Sequence, residues 1–195
     1  MRPSAEDKMT ITFIRHGTTN GNLEKRYIGK TDESLCESGI LQIKKNILGK
    51  KYPPADIIFS SPMKRCLETC SLIYPQKKPD IIEDFREMDF GAFEGKNYGE
   101  LKDNPDYQKW LESGGKIPFP GGEGRADFVR RTMRGFDKMT EEIARYCEKS
   151  GCGEKDVLVS AVVHGGTIMA VMSSLTKKNY YDFQIANGEV LSYEF

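Results

Sequence analysis

The chain carries only two histidines, and each closes an apolar run and precedes a glycine. His16 ends Thr10-Ile11-Thr12-Phe13-Ile14-Arg15, and His164 ends the run from Val157 to Val163. Both runs read as buried strands, and ligand sites in open α/β sheets lie at the carboxyl ends of strands. Two imidazoles at two such ends imply one shared pocket. Arg15 sharpens that implication. A guanidinium is always charged, grips phosphate oxygens as a fork and disfavours protonation of an adjacent imidazole. A neutral His16 keeps a nitrogen lone pair and can attack as a nucleophile. Gly17 lets a bulky anion approach the backbone.

Three further stretches hold residues of the right types. Ser60-Ser61-Pro62-Met63-Lys64-Arg65 reads as a strand-to-helix junction, with Ser61 as N-cap and Pro62 at the first helical position. A helix N-terminus favours anions, and Arg65 in its first turn would complete a phosphate cradle. Next, the segment from Phe85 to Gly95 sets Glu87, Asp89 and Glu94 among aromatic residues. Apolar surroundings raise a carboxyl pKa and make a general acid available near neutral pH. Glu87 directly follows an expected strand, but Asp89 and Glu94 are of the right type too. Finally, His164 precedes Gly165-Gly166-Thr167 and an apolar helix, where it can donate to an oxyanion. Cys66 and Cys70 are spaced i, i+4 on an apolar stripe and read as core thiols.

Strands are expected at Thr10–Arg15, Asp56–Ser60, Ile81–Phe85, Val157–Val163 and Val190–Phe195. Helices are expected at Ser38–Leu48, from Ser61-Pro62 onward, from about Ala126 to Glu148, and at Thr167–Leu175. This alternation is that of an α/β fold. The segment from Gly91 to Gly124 is rich in glycine and aromatics and reads as a partly helical insertion capping the pocket.

Several chemistries lack their motifs. There is no GxxxxGK[ST] loop, no HExxH and no aspartate-rich metal loop. The cysteine-phosphatase signature is absent, and Gly121-Gly122-Glu123-Gly124 does not follow a strand as a dinucleotide loop would. Two histidines argue against a zinc site, so neither metal nor cofactor is expected. Length, 195 residues, points to one domain. Lys plus Arg equals Asp plus Glu at 29 each, so no global field draws the chain to nucleic acid or membrane. Five cysteines, odd in number and without a CxxC, indicate a reduced, cytoplasmic setting. Met1 to Lys8 is polar and lacks the apolar core of a signal peptide.

In this order, RHG with Asn22 six residues on, SSPxxR, ExxxG and VVHGG resemble the histidine phosphatase superfamily, the phosphoglycerate-mutase-like group, over roughly residues 10 to 175. The resemblance implies a three-layer α/β/α sandwich with a mixed, mostly parallel sheet. It makes His16 the nucleophile that becomes phosphohistidine. Arg15, Asn22, Arg65 and His164 would hold the phosphoryl oxygens, and Glu87 would be the acid that protonates the leaving oxygen and then assists water. Ile28, Gly29 and Gly165 are its candidate substrate contacts, and no metal is required. The implied partner is a small-molecule phosphate ester, with a homodimer left open.

Within the superfamily, Arg26-Tyr27-Ile28-Gly29-Lys30-Thr31-Asp32 and Pro120-Gly121-Gly122-Glu123 look like alpha-ribazole phosphatase-like members, which act in cobalamin assembly. Phe93 stands where tryptophan is usual there, and Gly124 where serine is usual. Against the mutase branch, Thr18 replaces the glutamate after RHG, Ile28 replaces a threonine, and a long insertion is missing. Hydrolysis is therefore expected ahead of mutase-type transfer. A non-catalytic phosphate-binding protein ranks last, because the full catalytic set is present.

Overall fold

A computed structural model describes residues 9–194; residues 1–8, the polar start, and Phe195 lie outside it. Five strands form one sheet: β1 (Thr10–Arg15), β2 (Ile57–Ser60), β3 (Asp80–Ile81), β4 (Val159–Val163) and β5 (Val190–Glu194), in the order β3-β2-β4-β1-β5. The first four strands are parallel, and β5 lies antiparallel along β1. The helices are α1 (Asn20–Leu23), α2 (Glu37–Leu48), α3 (Lys64–Ile73), α4 (Tyr98–Leu101), α5 (Pro105–Glu112), α6 (Arg125–Ser150) and α7 (Gly165–Thr176).

Strand periodicity sorts the core into two faces. Ile11 and Phe13 of β1 join Phe59, Ala161 and Val163 against α6 and α7, through residues such as Met139, Ile143, Ile168 and Val171. Ile14, Ile58 and Val162 face the other way and pack on Cys66 and Cys70 of α3. Helices on both faces of a mostly parallel sheet make the expected three-layer sandwich. Each fully buried Phe or Ile in it contributes roughly 1.5–3 kcal/mol of burial. The register places Arg15 opposite Val163, so His16 and His164 leave the sheet side by side. Ser60 lies opposite Val162, which brings Ser61 to the same edge.

Two elements differ from expectation. The third strand is only Asp80–Ile81; the chain then turns through a 3-10 segment, Glu83–Phe85. Asp84 explains the departure, because Lys138 and Arg134 of α6 both bind its carboxylate and pull the chain off the sheet. The second difference is the start of α3, which begins at Lys64 rather than at Ser61-Pro62. Ser61 is committed elsewhere, to His164. The cap comes instead from Asp32, whose Oδ1 accepts the Lys64 N–H at 2.7 Å.

The segment from 91 to 124 is partly helical, as expected, and carries its own apolar cluster. Phe93, Leu101, Tyr107 and Phe119 are buried there, with Tyr27, Phe90 and Trp110 packed against them. Trp110 stacks on Phe119 with centroids 4.9 Å apart. Asn97 caps α4, and Asn104 with Pro105 starts α5.

Candidate active site

His16 is buried, and its Nδ1 lies 2.7 Å from the Gly17 carbonyl. A carbonyl only accepts, so Nδ1 carries the proton and Nε2 keeps its lone pair. Burial, then the charges of Arg65 and Arg15, hold His16 well below the usual histidine pKa, against the opposing Gly17 hydrogen bond. The imidazole is therefore neutral with a free Nε2, the form a nucleophile needs. Its loop is braced by Thr69, which takes the Gly17 N–H at 3.0 Å and donates to the Arg65 carbonyl.

His164 is fully buried, with its ring centroid 5.2 Å from that of His16. Arg65 Nε donates to His164 Nδ1 at 3.3 Å, so the proton sits on Nε2, which donates to Ser61 Oγ at 2.7 Å. Burial and the neighbouring Arg65 hold it, too, well below the ordinary value. Both of its nitrogens are engaged, and its one N–H goes to Ser61, so donation to a phosphoryl oxygen requires exchange of the Ser61 hydrogen bond.

Arg65, at 1% exposure, sends Nη1 to the Thr31 carbonyl and Nη2 to the Gly29 carbonyl. Two of its five N–H donors remain for an anion. Arg15 donates from Nη1 to the Ile185 carbonyl at 2.6 Å, while its buried Nε has no partner among the described residues. Burial lowers its pKa, Glu87 opposes that shift, and it stays cationic.

Glu87 is the carboxyl that faces this group. Burial raises its pKa, against the pull of the Met88 N–H, Arg65, the Gly166 N–H and Arg15. Its oxygens accept from Met88 N at 2.9 Å and Gly166 N at 3.3 Å. A Cβ on Gly166 would stand 2.3 Å from Glu87 Oε1, so only glycine leaves the carboxyl in place. The other two acids serve the scaffold. Asp89 binds Lys30 and the Gly91 N–H, and Glu94 binds the N–H groups of Gly29 and Thr31.

A cavity of about 560 Å³ opens on this group and is lined by Arg15, Glu87, Gly165 and Asn22. Tyr27, Phe90, Trp110 and Phe119 from the capping cluster line it too, as do Tyr180, Lys25 and Arg125. His16, Arg65 and His164 are buried and are not among its lining residues; their neighbours Arg15 and Gly165 are. Asn22 Oδ1 accepts from the Thr19 N–H and from Asn187 Nδ2. Of the three candidate substrate contacts, Gly165 lines the cavity, whereas Ile28 lies against Gly21 and Gly29 holds Arg65. A Cβ on Gly29 would fall 1.8 Å from the Met88 carbonyl, so that glycine serves close packing.

Several supporting residues carry little local signal. Asn187 donates to the His16 carbonyl, and Gly188 N–H donates to the carbonyls of Arg15 and His16. Arg131 grips Glu123 through two bonds and the carbonyls of Asp84, Arg86 and Glu87 through others, fixing the loop that bears the acid. Ser61 and Gly166 were at least visible inside their motifs; Asn187 and Arg131 stand in stretches of ordinary composition.

The profile of the histidine phosphatase superfamily (branch 1) matches residues 11–195. A 2,3-bisphosphoglycerate-dependent phosphoglycerate mutase of Methylorubrum extorquens (strain PA1) is 29% identical over 94% of this chain and 88% of its own length. The crystal structure of a phosphoserine phosphatase mutant from Entamoeba histolytica in complex with phosphoserine superposes with a TM-score of 0.70 at 27% identity, covering 94% of this chain and 89% of that one. The alpha-ribazole phosphatase from Shigella flexneri superposes with a TM-score of 0.77 at 22% identity, over 94% and 89% of the two chains, a likeness of fold.

Proposed function

Because the chain belongs to the histidine phosphatase superfamily, we propose that it is a metal-independent phosphomonoesterase working through a phosphohistidine on His16. One observation carries this reading. Two guanidiniums, the buried Arg65 and the half-buried Arg15, flank a neutral His16, and neither makes a hydrogen bond to a carboxylate among the described residues. Buried charge normally has a partner of opposite sign, and a phosphate dianion supplies one.

His16 Nε2 attacks phosphorus, forming a P–N bond as the P–O bond to the leaving group breaks. Glu87 gives its proton to the departing oxygen. The resulting carboxylate then takes a proton from water, whose oxygen attacks phosphorus. The P–N bond breaks, phosphate leaves, and His16 is restored with its proton still on Nδ1. Arg15 and Arg65 counter the charge on the equatorial oxygens.

The aromatic lining favours a planar leaving group, and the RYxGxTD stretch adds alpha-ribazole 5'-phosphate, of cobalamin assembly, as the leading substrate. Identity to the mutase above supports a second reading, phosphoryl transfer between sugar-acid hydroxyls. Thr18 and the short cap weigh against it. The decisive experiment uses 4-nitrophenyl phosphate with wild type and His16→Ala. Loss of turnover and of the acid-labile phosphoenzyme in the variant is expected; equal turnover in both would remove His16 as nucleophile. A panel of alpha-ribazole phosphate, phosphoserine, a phosphoglycerate and a nucleotide then tests the substrate. If alpha-ribazole phosphate is no better than the rest, the narrow assignment falls and the broad one stands. A need for a bisphosphate primer with negligible hydrolysis would favour the mutase.

A further inference from the structure

Arg65 presents a problem of placement. It is almost wholly buried, and its hydrogen bonds go to His164 and to two backbone carbonyls, those of Gly29 and Thr31. Carbonyls in an irregular segment can hold a guanidinium only if the segment is itself fixed. The fixing group is Glu94. Its Oε1 accepts the N–H of Gly29 at 2.8 Å and that of Thr31 at 3.0 Å, the same two residues whose carbonyls hold Arg65. Its Oε2 takes the Phe90 N–H at 3.4 Å. Carboxylate and guanidinium thus grip one strap from opposite sides. The strap has no room to shift, because Gly29 lies against the Met88 carbonyl, next to the acid Glu87. Its far end is tied to the helix bearing Arg65, through Asp32 to the Lys64 N–H and Glu68 to the Leu35 N–H.

We propose that Glu94 is a positioning residue for anion binding: its carboxylate sets the Gly29–Thr31 strap, and the strap sets the Arg65 guanidinium beside His16. Its catalytic consequence rests on the phosphatase reading above, whereas its effect on phosphate affinity does not. Positioning is chemically different from acid catalysis, the other role that a glutamate at this place suggests. A general acid matters most for a poor leaving group. A residue that places Arg65 matters equally for good and poor ones, because the phosphoryl group is common to both.

The test compares wild type, Glu94→Ala, Glu94→Gln and Glu87→Gln. Inorganic phosphate affinity is measured by calorimetry, and kcat/KM is measured with 4-nitrophenyl phosphate and with glycerol 1-phosphate. Glu94→Ala is expected to weaken phosphate binding about tenfold, the scale of one hydrogen bond to a charged group. Glu94→Gln is expected to lose less, since an amide oxygen still accepts both N–H groups. Both Glu94 variants should lower kcat/KM for the two esters by the same factor, while Glu87→Gln falls far more on the alkyl ester. Unchanged phosphate affinity in both Glu94 variants would overturn the proposal, as would a loss confined to the alkyl ester. If Glu94→Ala does not fold, the Glu94→Gln comparison decides the matter. A wild type that binds phosphate but hydrolyses neither ester would sink the phosphatase reading, and calorimetry would still decide the role of Glu94.

Discussion

His16 and His164 are both neutral, yet their protons sit on opposite nitrogens. Gly17 fixes the proton of His16 on Nδ1; Arg65 and Ser61 fix that of His164 on Nε2. The consequence for pH is definite. In the unfolded chain a histidine takes its proton near 6.5, and here both take it only well below that. Between those limits the unfolded chain binds more protons, so acidification destabilises the fold. The contribution is complete above about 6.5 and is lost as pH falls below it. Thermal melts should show the midpoint dropping from neutral pH toward pH ~5, and a shallower drop in His164→Asn. The catalytic dependence has the other sign. In the proposed reaction Glu87 must hold a proton to act, and burial raises its pKa, so alkyl-ester turnover falls as pH rises through the raised pKa. Glu87→Gln should remove this limb and cost ~10²–10⁴ in kcat on an alkyl ester. A pH–rate profile with the limb intact in the variant would assign it to another group. The sequence showed both histidines, both arginines and a choice of three acids. Residue types alone left the acid open and only the family resemblance singled out Glu87, because the choice depends on which backbone N–H groups each carboxylate meets after folding.

At the scale of elements, the helix bearing Arg65 depends on a cap from another segment. Asp32 stands where a neighbouring serine was expected, since Ser61 holds His164 instead. Asp32→Ala should cost ~1 kcal/mol in urea unfolding. Because α3 carries Arg65 and Thr69, the variant should also bind phosphate more weakly. Normal phosphate affinity in a destabilised protein would show that the cap and the site are uncoupled. The start of α7 gives a second test. Gly166→Ala would press a methyl group against the Glu87 carboxyl. A loss in kcat larger for alkyl than for aryl esters is expected, with little change in phosphate affinity. Strands β1 and β4 were legible as continuous apolar runs, and helix α6 from its helical periodicity. The short β3 and the displaced start of α3 were not, since each is decided by a distant partner: α6 for Asp84, Asp32 for Lys64.

Across the whole molecule, three segments far apart in sequence meet around the cavity: the sheet edge, the capping cluster and the stretch after α7. Arg125 straps the last two together. Its guanidinium donates to the Gly114 carbonyl and the Tyr181 hydroxyl and lies over the rings of Tyr180 and Tyr181, at 5.3 and 5.0 Å. Arg125→Ala should release about 1 kcal/mol of hydrogen bonding and stacking. Faster amide exchange in α5 and a raised KM for aromatic esters are expected; unchanged exchange there would show that the capping cluster holds itself in place. The partly helical character of segment 91–124 was readable from its turn signals, whereas its tie to Arg125 was not. The antiparallel strand β5 has a further consequence. The loop that leads into it supplies the Ile185 carbonyl to Arg15 and the Asn187 and Gly188 donors to the backbone carbonyls of Arg15 and His16. Of all the described elements, β5 is the last that a translating ribosome makes. A nascent chain arrested before residue 185 should therefore hold no phosphate analogue even with His16 long since synthesised, so the site stays silent until β5 has emerged.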